Sequence, residues 1–154
     1  MARELPDSTL VARRLATSKV LLVASPDYLR THGAPATPAD LAQHNCLVYT
    51  AATRASEWTL AGMDGDEHAI AVRGTLQANT NVALRAAAVA GLGIANAAAF
   101  IVREELERGA LVEVLPAYTP KARELYALYP QNRHLSPKVR AFVDYAASVY
   151  INIF

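Results

Sequence analysis

Asn79-Thr80-Asn81 is the group of side chains in this 154-residue sequence best suited to hold a ligand. The three polar residues stand where a helix is expected to begin. The first turn of a helix leaves amides unpaired at the positive end of its dipole. Side chains that donate hydrogen bonds beside those amides can hold a carboxylate. A plainer role fits the same residues: one caps the helix and the others face water.

No catalytic constellation competes with this cluster. Gly91-Leu92-Gly93 resembles half of a dinucleotide fingerprint, but it closes a helix instead of opening one and lacks the third glycine. The serines lack the small-residue elbow of an α/β-hydrolase. His32 and His44 fall at expected helix ends, where a partly charged imidazole is favourable for structural reasons. His68 falls in a turn, and His134 precedes a helix, where it could make a pH-sensitive contact. Glu104, Glu105 and Glu107 read as a solvated acidic helix face. Cys46 is the single cysteine and sits in the apolar stretch Cys46-Leu47-Val48-Tyr49, which suits a buried thiol better than a reactive one. With no His pair at zinc spacing, no catalytic residue, metal or cofactor is expected.

The charge balance narrows the partners. Fifteen basic residues face fourteen acidic ones for a net charge of +1, and the basic residues are scattered, with Arg13-Arg14 the only adjacent pair. Phosphate backbones need clustered cations, so nucleic acid is not expected to bind these residues directly. Residues 1–6 have no apolar core of the kind a signal peptide carries. The longest apolar run, 82–102, is interrupted by Arg85, Gly91, Gly93 and Asn96, so it does not read as a membrane span. A cytoplasmic, soluble domain is the expectation, with no membrane partner.

The elements that would position the cluster alternate between strand and helix, the pattern of an α/β fold. Strands are expected at 10–15 and 20–24, the second as a continuous buried run. Ser25-Pro26-Asp27, Thr37-Pro38-Ala39-Asp40 and Ser136-Pro137 each read as a helix start, with a capping hydroxyl followed by a proline that needs no amide. Strands at 58–60 and 69–76 flank a turn through Met63-Asp64-Gly65-Asp66. The helix opened by Asn79 should pack through Val82, Ala86, Val89 and Ala90. A short strand at 92–95, a helix over 98–108 closed by Gly109, and strands at 111–115 and 124–129 follow. The last helix starts near Pro137 and carries Val139, Phe142, Val143, Ala146, Val149 and Tyr150 along one side. The apolar tail 151–154 has no evident role.

The order of these motifs is similar to the effector-binding half of LysR-type transcription regulators. Asp7-Ser8-Thr9-Leu10-Val11-Ala12-Arg13-Arg14-Leu15 leads to Val23-Ala24-Ser25-Pro26-Asp27-Tyr28-Leu29. Thr37-Pro38-Ala39-Asp40-Leu41, His44-Asn45-Cys46-Leu47, Trp58 and Gly74-Thr75-Leu76 with Asn79 follow. Next come Gly91-Leu92-Gly93-Ile94-Ala95 and Gly109-Ala110-Leu111-Val112-Glu113-Val114-Leu115. The close, Leu125-Tyr126-Ala127-Leu128-Tyr129-Pro130 to Arg133-His134-Leu135-Ser136-Pro137-Lys138-Val139-Arg140-Ala141-Phe142-Val143-Asp144, is the most specific part, and the resemblance runs from Pro6 to Tyr150.

The resemblance implies a type 2 periplasmic-binding-protein-like fold of two α/β lobes joined by crossing strands, with one lobe nearly complete and remnants of the other. Residues 1–19 would end the first lobe and supply a crossing, 20–123 would form the second lobe, and 124–154 would give the return crossing and the first lobe's terminal helix. A small, anionic organic effector would bind between the lobes, with Asn79, Thr80, Asn81, Asn96 and Tyr129 as its contacts. No winged helix-turn-helix precedes Met1, so DNA would be reached only through a missing N-terminal domain. The exposed last helix would drive self-association. Asn96-Ala97-Ala98-Ala99 departs from the family's usual proline after Gly-Leu-Gly-Ile. The rival classes are a free-standing solute-binding protein, which would need a signal peptide and a complete first lobe, and a small α/β enzyme, which would need a catalytic site.

Overall fold

Val20–Ala24 is apolar at all five positions and every one is buried, so this strand must be covered on both faces. The computed structural model describes residues 2–4, 10–52, 54–130 and 136–150. The expectations for His134 and for the tail 151–154 lie outside these residues. The chain divides into two compact units, Val20–Lys121 and a second made of 1–19 with 122–154.

In the Val20–Lys121 unit, Val20–Ala24 (β3) lies inside a five-stranded sheet. Its other members are Cys46–Tyr49 (β4), Gln77–Ala78 (β7), Ile94–Ala98 (β8) and Val112–Val114 (β9), in the order β7-β4-β8-β3-β9. β4 runs parallel to both β7 and β8, whereas β3 is antiparallel to β8 and β9. On one face Leu22, Cys46, Val48, Ile94 and Val114 pack with Tyr28 and Leu41 and with Trp58, Leu60 and Ile70. The last three come from a second sheet, in which Glu57–Ala61 (β5) pairs with Glu67–Ala71 (β6) and Thr119–Pro120 (β10). Strand β10 has no apolar pattern of its own and was not expected.

The other face is covered by two helices, Asn81–Val89 (α2) and Ala99–Glu107 (α3). Leu84, Ala87 and Ala88 of α2 are the buried residues, not the expected face: Val82 is 59% exposed, and Ala86 and Ala90 are also exposed. The single leucine fills the space over the sheet and sets the rotation of an otherwise alanine-rich helix.

Local signals act as read at Pro26–His32 (α1). Ser25 Oγ accepts from the Tyr28 amide at 3.1 Å, and Gly33 ends the helix at φ 79°. The start at Thr37 yields a 3₁₀ helix, Pro38–Gln43. Its six residues are pinned by Asp40 Oδ2, which accepts from the Ala36 and Thr37 amides at 3.0 and 2.8 Å. These amides hold the Asp40 carboxyl below its ordinary value. The expected strand 69–76 is shorter, because Gly74 leaves the sheet to press on β4: a Cβ there would lie 1.9 Å from the Cys46 carbonyl oxygen. His68 stands on β6 instead of in the turn, with its ring edge-on to Tyr118.

The second unit pairs Leu10–Ser18 (β2) with Ala2–Glu4 (β1) and Arg123–Pro130 (β11), all antiparallel. Helix Pro137–Tyr150 (α4) lies on β2, with an Arg13–Asp144 ion pair and buried Val143 and Ala146. Phe142 and Tyr145 on the same helix are 69% and 67% exposed.

Candidate ligand-binding site

Because β4, β7 and β8 are parallel, their carboxyl ends share one edge of the sheet. Open α/β sheets bind ligands outside that edge. The pairing sets Val48 opposite Gln77 on β7 and Leu47 opposite Ala95 on β8. Asn79, Thr80 and Asn81 follow β7 at this edge, whereas Asn96 lies in the middle of β8.

They do not play equal parts. Thr80 is the N-cap of α2: its Oγ1 accepts from the Val82 amide at 3.3 Å and its carbonyl from the Leu84 amide at 3.4 Å. The plain capping role therefore holds for Thr80. Asn79 is exposed beside it, and Asn81 is the first helical residue. Asn96 pairs with Leu22 and shares its face of the sheet, the face opposite the one on which α2 packs. Asn81 Oδ1 and Asn96 Oδ1 are buried with no hydrogen-bond partner among the described residues. An unpaired buried acceptor costs about 1–3 kcal/mol, so both oxygens call for a donor. Tyr129 belongs to the other unit, where it is half-buried on β11 opposite Val11.

Two supports escaped the sequence reading. Asn45 joins three segments, donating from Nδ2 to Thr75 Oγ1 (3.0 Å) and the Leu92 carbonyl (2.6 Å) and accepting from the Thr75 amide (2.8 Å). Its carbonyl takes the Ile94 amide at 2.9 Å, and Gly93 is required there because a Cβ would lie 2.1 Å from that oxygen. The isolated glycines 74 and 93 were the available signal, since a glycine inside an apolar pattern often marks close backbone approach. The second support is Arg85, which donates to the Ile101 carbonyl at 3.2 Å and pairs with Glu105 at 3.6 Å, fastening α2 to α3. Glu105 is therefore no part of a solvated face: it is 6% exposed and also lies 3.6 Å from Arg108, while Glu104 and Glu107 remain in water.

Beneath the amino end of β4, the Tyr28 hydroxyl accepts from the Asn45 amide (3.0 Å) and shares a hydrogen bond with His44 Nδ1 (3.0 Å). Burial, followed by the charge of His32, lowers the His44 pKa. Burial raises Tyr28 and pushes the Cys46 thiol up to about 12, so that thiol is inert at neutral pH. Among the described residues, no group of three or more His, Cys, Asp and Glu could hold a metal ion, and no helix is long and apolar enough to cross a membrane.

Residues 1–150 match the family model for the LysR substrate binding domain. An uncharacterized HTH-type transcriptional regulator of Haemophilus influenzae is 40% identical over 133 residues, which cover 86% of this chain and 46% of that protein. Full-length AphB of Vibrio cholerae, a virulence activator of the LTTR family, superposes with a TM-score of 0.79 at 35% identity, over 97% of this chain and 51% of the other. The regulatory domain of CrgA, a LysR-type transcriptional regulator from Neisseria meningitidis, gives 0.78 at 29% identity, over 96% and 72%. The fold is thus the type 2 periplasmic-binding-protein-like fold of these regulatory domains. The chain spans about half the length of the full-length relatives it matches.

Proposed function

The chain belongs to the LysR substrate-binding domain family, and on that premise we propose that it is the effector-sensing part of a cytoplasmic bacterial transcription regulator, binding its effector without turning it over. The reading is carried by the carboxyl edge of the parallel strands, where α2 begins at Asn81, and by the buried Oδ1 atoms of Asn81 and of Asn96 on β8, which have no hydrogen-bond partner among the described residues. A carboxylate suits the helix end, and the two oxygens ask for donors on the same molecule. The effector class is therefore a small organic acid that also carries hydroxyl or amino groups.

In this proposal Val20–Lys121 serves as the second lobe, while residues 1–19 and 122–154 supply crossings and the end of the first. Effector affinity that differs between open and closed lobes would shift their populations. Oligomeric contacts would carry the shift to helix-turn-helix segments that touch DNA, consistent with the HTH-type regulators among the relatives. The exposed Val139, Phe142 and Tyr145 of α4 would furnish a contact between copies. Sedimentation should then show self-association that Phe142→Glu abolishes, whereas a monomer with α4 fully ordered would remove that contact.

The test of the site is the Thr80→Ala/Asn81→Ala double variant. Effector affinity should fall at least about tenfold while the domain stays folded, since losing a threonine cap costs only about 1 kcal/mol. Unchanged affinity would take the helix end out of the site.

A further inference from the structure

A concave pocket of about 680 Å³ opens in the Val20–Lys121 unit along β6, away from the sheet edge described above. Its walls are Pro38, Ala39 and Ala42 of the 3₁₀ helix on one side and Ala69 and Ala71 of β6 on the other, with Tyr118 and Arg73 at the margins. The size lies inside the range of about 300–1,000 Å³ typical of small-molecule sites.

The polar groups at this space include the Arg73 guanidinium and the free backbone edge of β6, which offers amide donors alternating with carbonyl acceptors. Strand β6 is an edge strand, paired only with β5. The Val72 amide donates to Ser56 O at 2.8 Å and the Gly62 amide to Asp66 O at 2.9 Å. Antiparallel pairs alternate, so Ile70 and His68 bond to β5 while Ala69 and Ala71 turn their backbone groups outward. The Arg73 guanidinium has no ion pair among the described residues. Its backbone is nevertheless fixed, because Arg73 O accepts the Cys46 amide at 3.0 Å and Gly74 abuts β4. No carboxylate among the described residues lines the pocket. Asp40, on the 3₁₀ helix, is engaged by the Ala36 and Thr37 amides. The small side chains give the pocket an apolar lining, and the edge-on His68–Tyr118 pair adds aromatic surface to it.

We propose that this pocket is a second binding site, taking a small organic anion with a flat apolar body: its carboxylate pairs with Arg73 and the outward amides of β6, and its ring lies between the alanines and Tyr118. Arginine can hold a carboxylate through two parallel bonds, which outweighs a neutral contact. The site does not depend on the reading of the sheet edge, since it shares no residue with Asn79, Thr80, Asn81 or Asn96.

Benzoate is the probe, titrated into the 154-residue chain while amide resonances are followed by heteronuclear NMR. Saturable shifts are expected at Ala69, Ala71, Arg73 and Tyr118. Benzamide, which lacks the charge, should bind roughly tenfold more weakly. Arg73→Gln should reduce benzoate affinity at least fivefold, and Ala69→Leu, at an exposed position, should reduce it by filling the pocket. The Thr80→Ala/Asn81→Ala variant should leave these shifts unchanged. Shifts confined to residues near α2 and Asn96, equal affinity in Arg73→Gln, equal affinity for benzamide, or no saturable shift at β6 would each overturn the proposal.

Discussion

The two units of this chain use similar elements and finish their surfaces differently. In Val20–Lys121 both faces of the five-stranded sheet are covered, one by helices α2 and α3 and the other by the second sheet with Tyr28 and Leu41. In the unit made of 1–19 and 122–154, the described residues form a three-stranded sheet that carries one helix. Phe142, Tyr145 and Leu128 stay exposed although their types are those of a core. Whether an apolar side chain stabilises the fold depends on the partner it meets, and a helix face without one is a surface for association.

Substitutions should separate the units in proportion. The largest effect is expected at Gly74→Ala, whose Cβ would meet the Cys46 backbone. Separating Gly74 from β4 should cost about 4 kcal/mol or more in urea unfolding. Leu84→Ala should cost about 2–5 kcal/mol, whereas Val82→Ala on the same helix and Phe142→Ala on α4 should each stay within about 0.5 kcal/mol. Equal costs for Leu84 and Val82 would return α2 to the rotation expected from its sequence. Glu105→Ala should cost about 1–3 kcal/mol by freeing Arg85 and loosening α2 from α3.

The smallest effect concerns pH. His44 titrates below its ordinary value of 6.5 in the folded chain, so the unfolded chain binds the proton first. Stability is therefore full above 6.5 and falls as pH drops below it, until the folded form also takes up the proton. A urea midpoint that declines as pH is lowered through this window, and declines less in His44→Gln, is the expected result. A slope unchanged by the substitution would count against it.

What could be read from the sequence was local. Val20–Ala24 needs no distant partner to declare itself a buried strand, and Ser25 with Pro26 caps α1 through atoms three residues apart. The rotation of α2 was not legible, because its several alanines let two faces qualify and only the sheet beneath chooses Leu84. The role of Asn45 depends on Thr75 and Leu92 arriving from 30 and 47 residues away. The site divides the same way. Thr80 as a cap was readable in its context, whereas the isolation of the Asn81 and Asn96 oxygens exists only once sheet and helices close over them.

The most direct test of the central claim is a thermal-shift panel of small organic acids and amino acids, run on the natural chain, the Thr80→Ala/Asn81→Ala variant and Arg73→Gln. A ligand at ~100 times its dissociation constant should add ~2.7 kcal/mol of stability. The account predicts a selective shift by a hydroxy or amino acid that Arg73→Gln retains and the double variant loses. A shift by that hydroxy or amino acid of equal size in the double variant, or no shift with any hydroxy or amino acid, would contradict it.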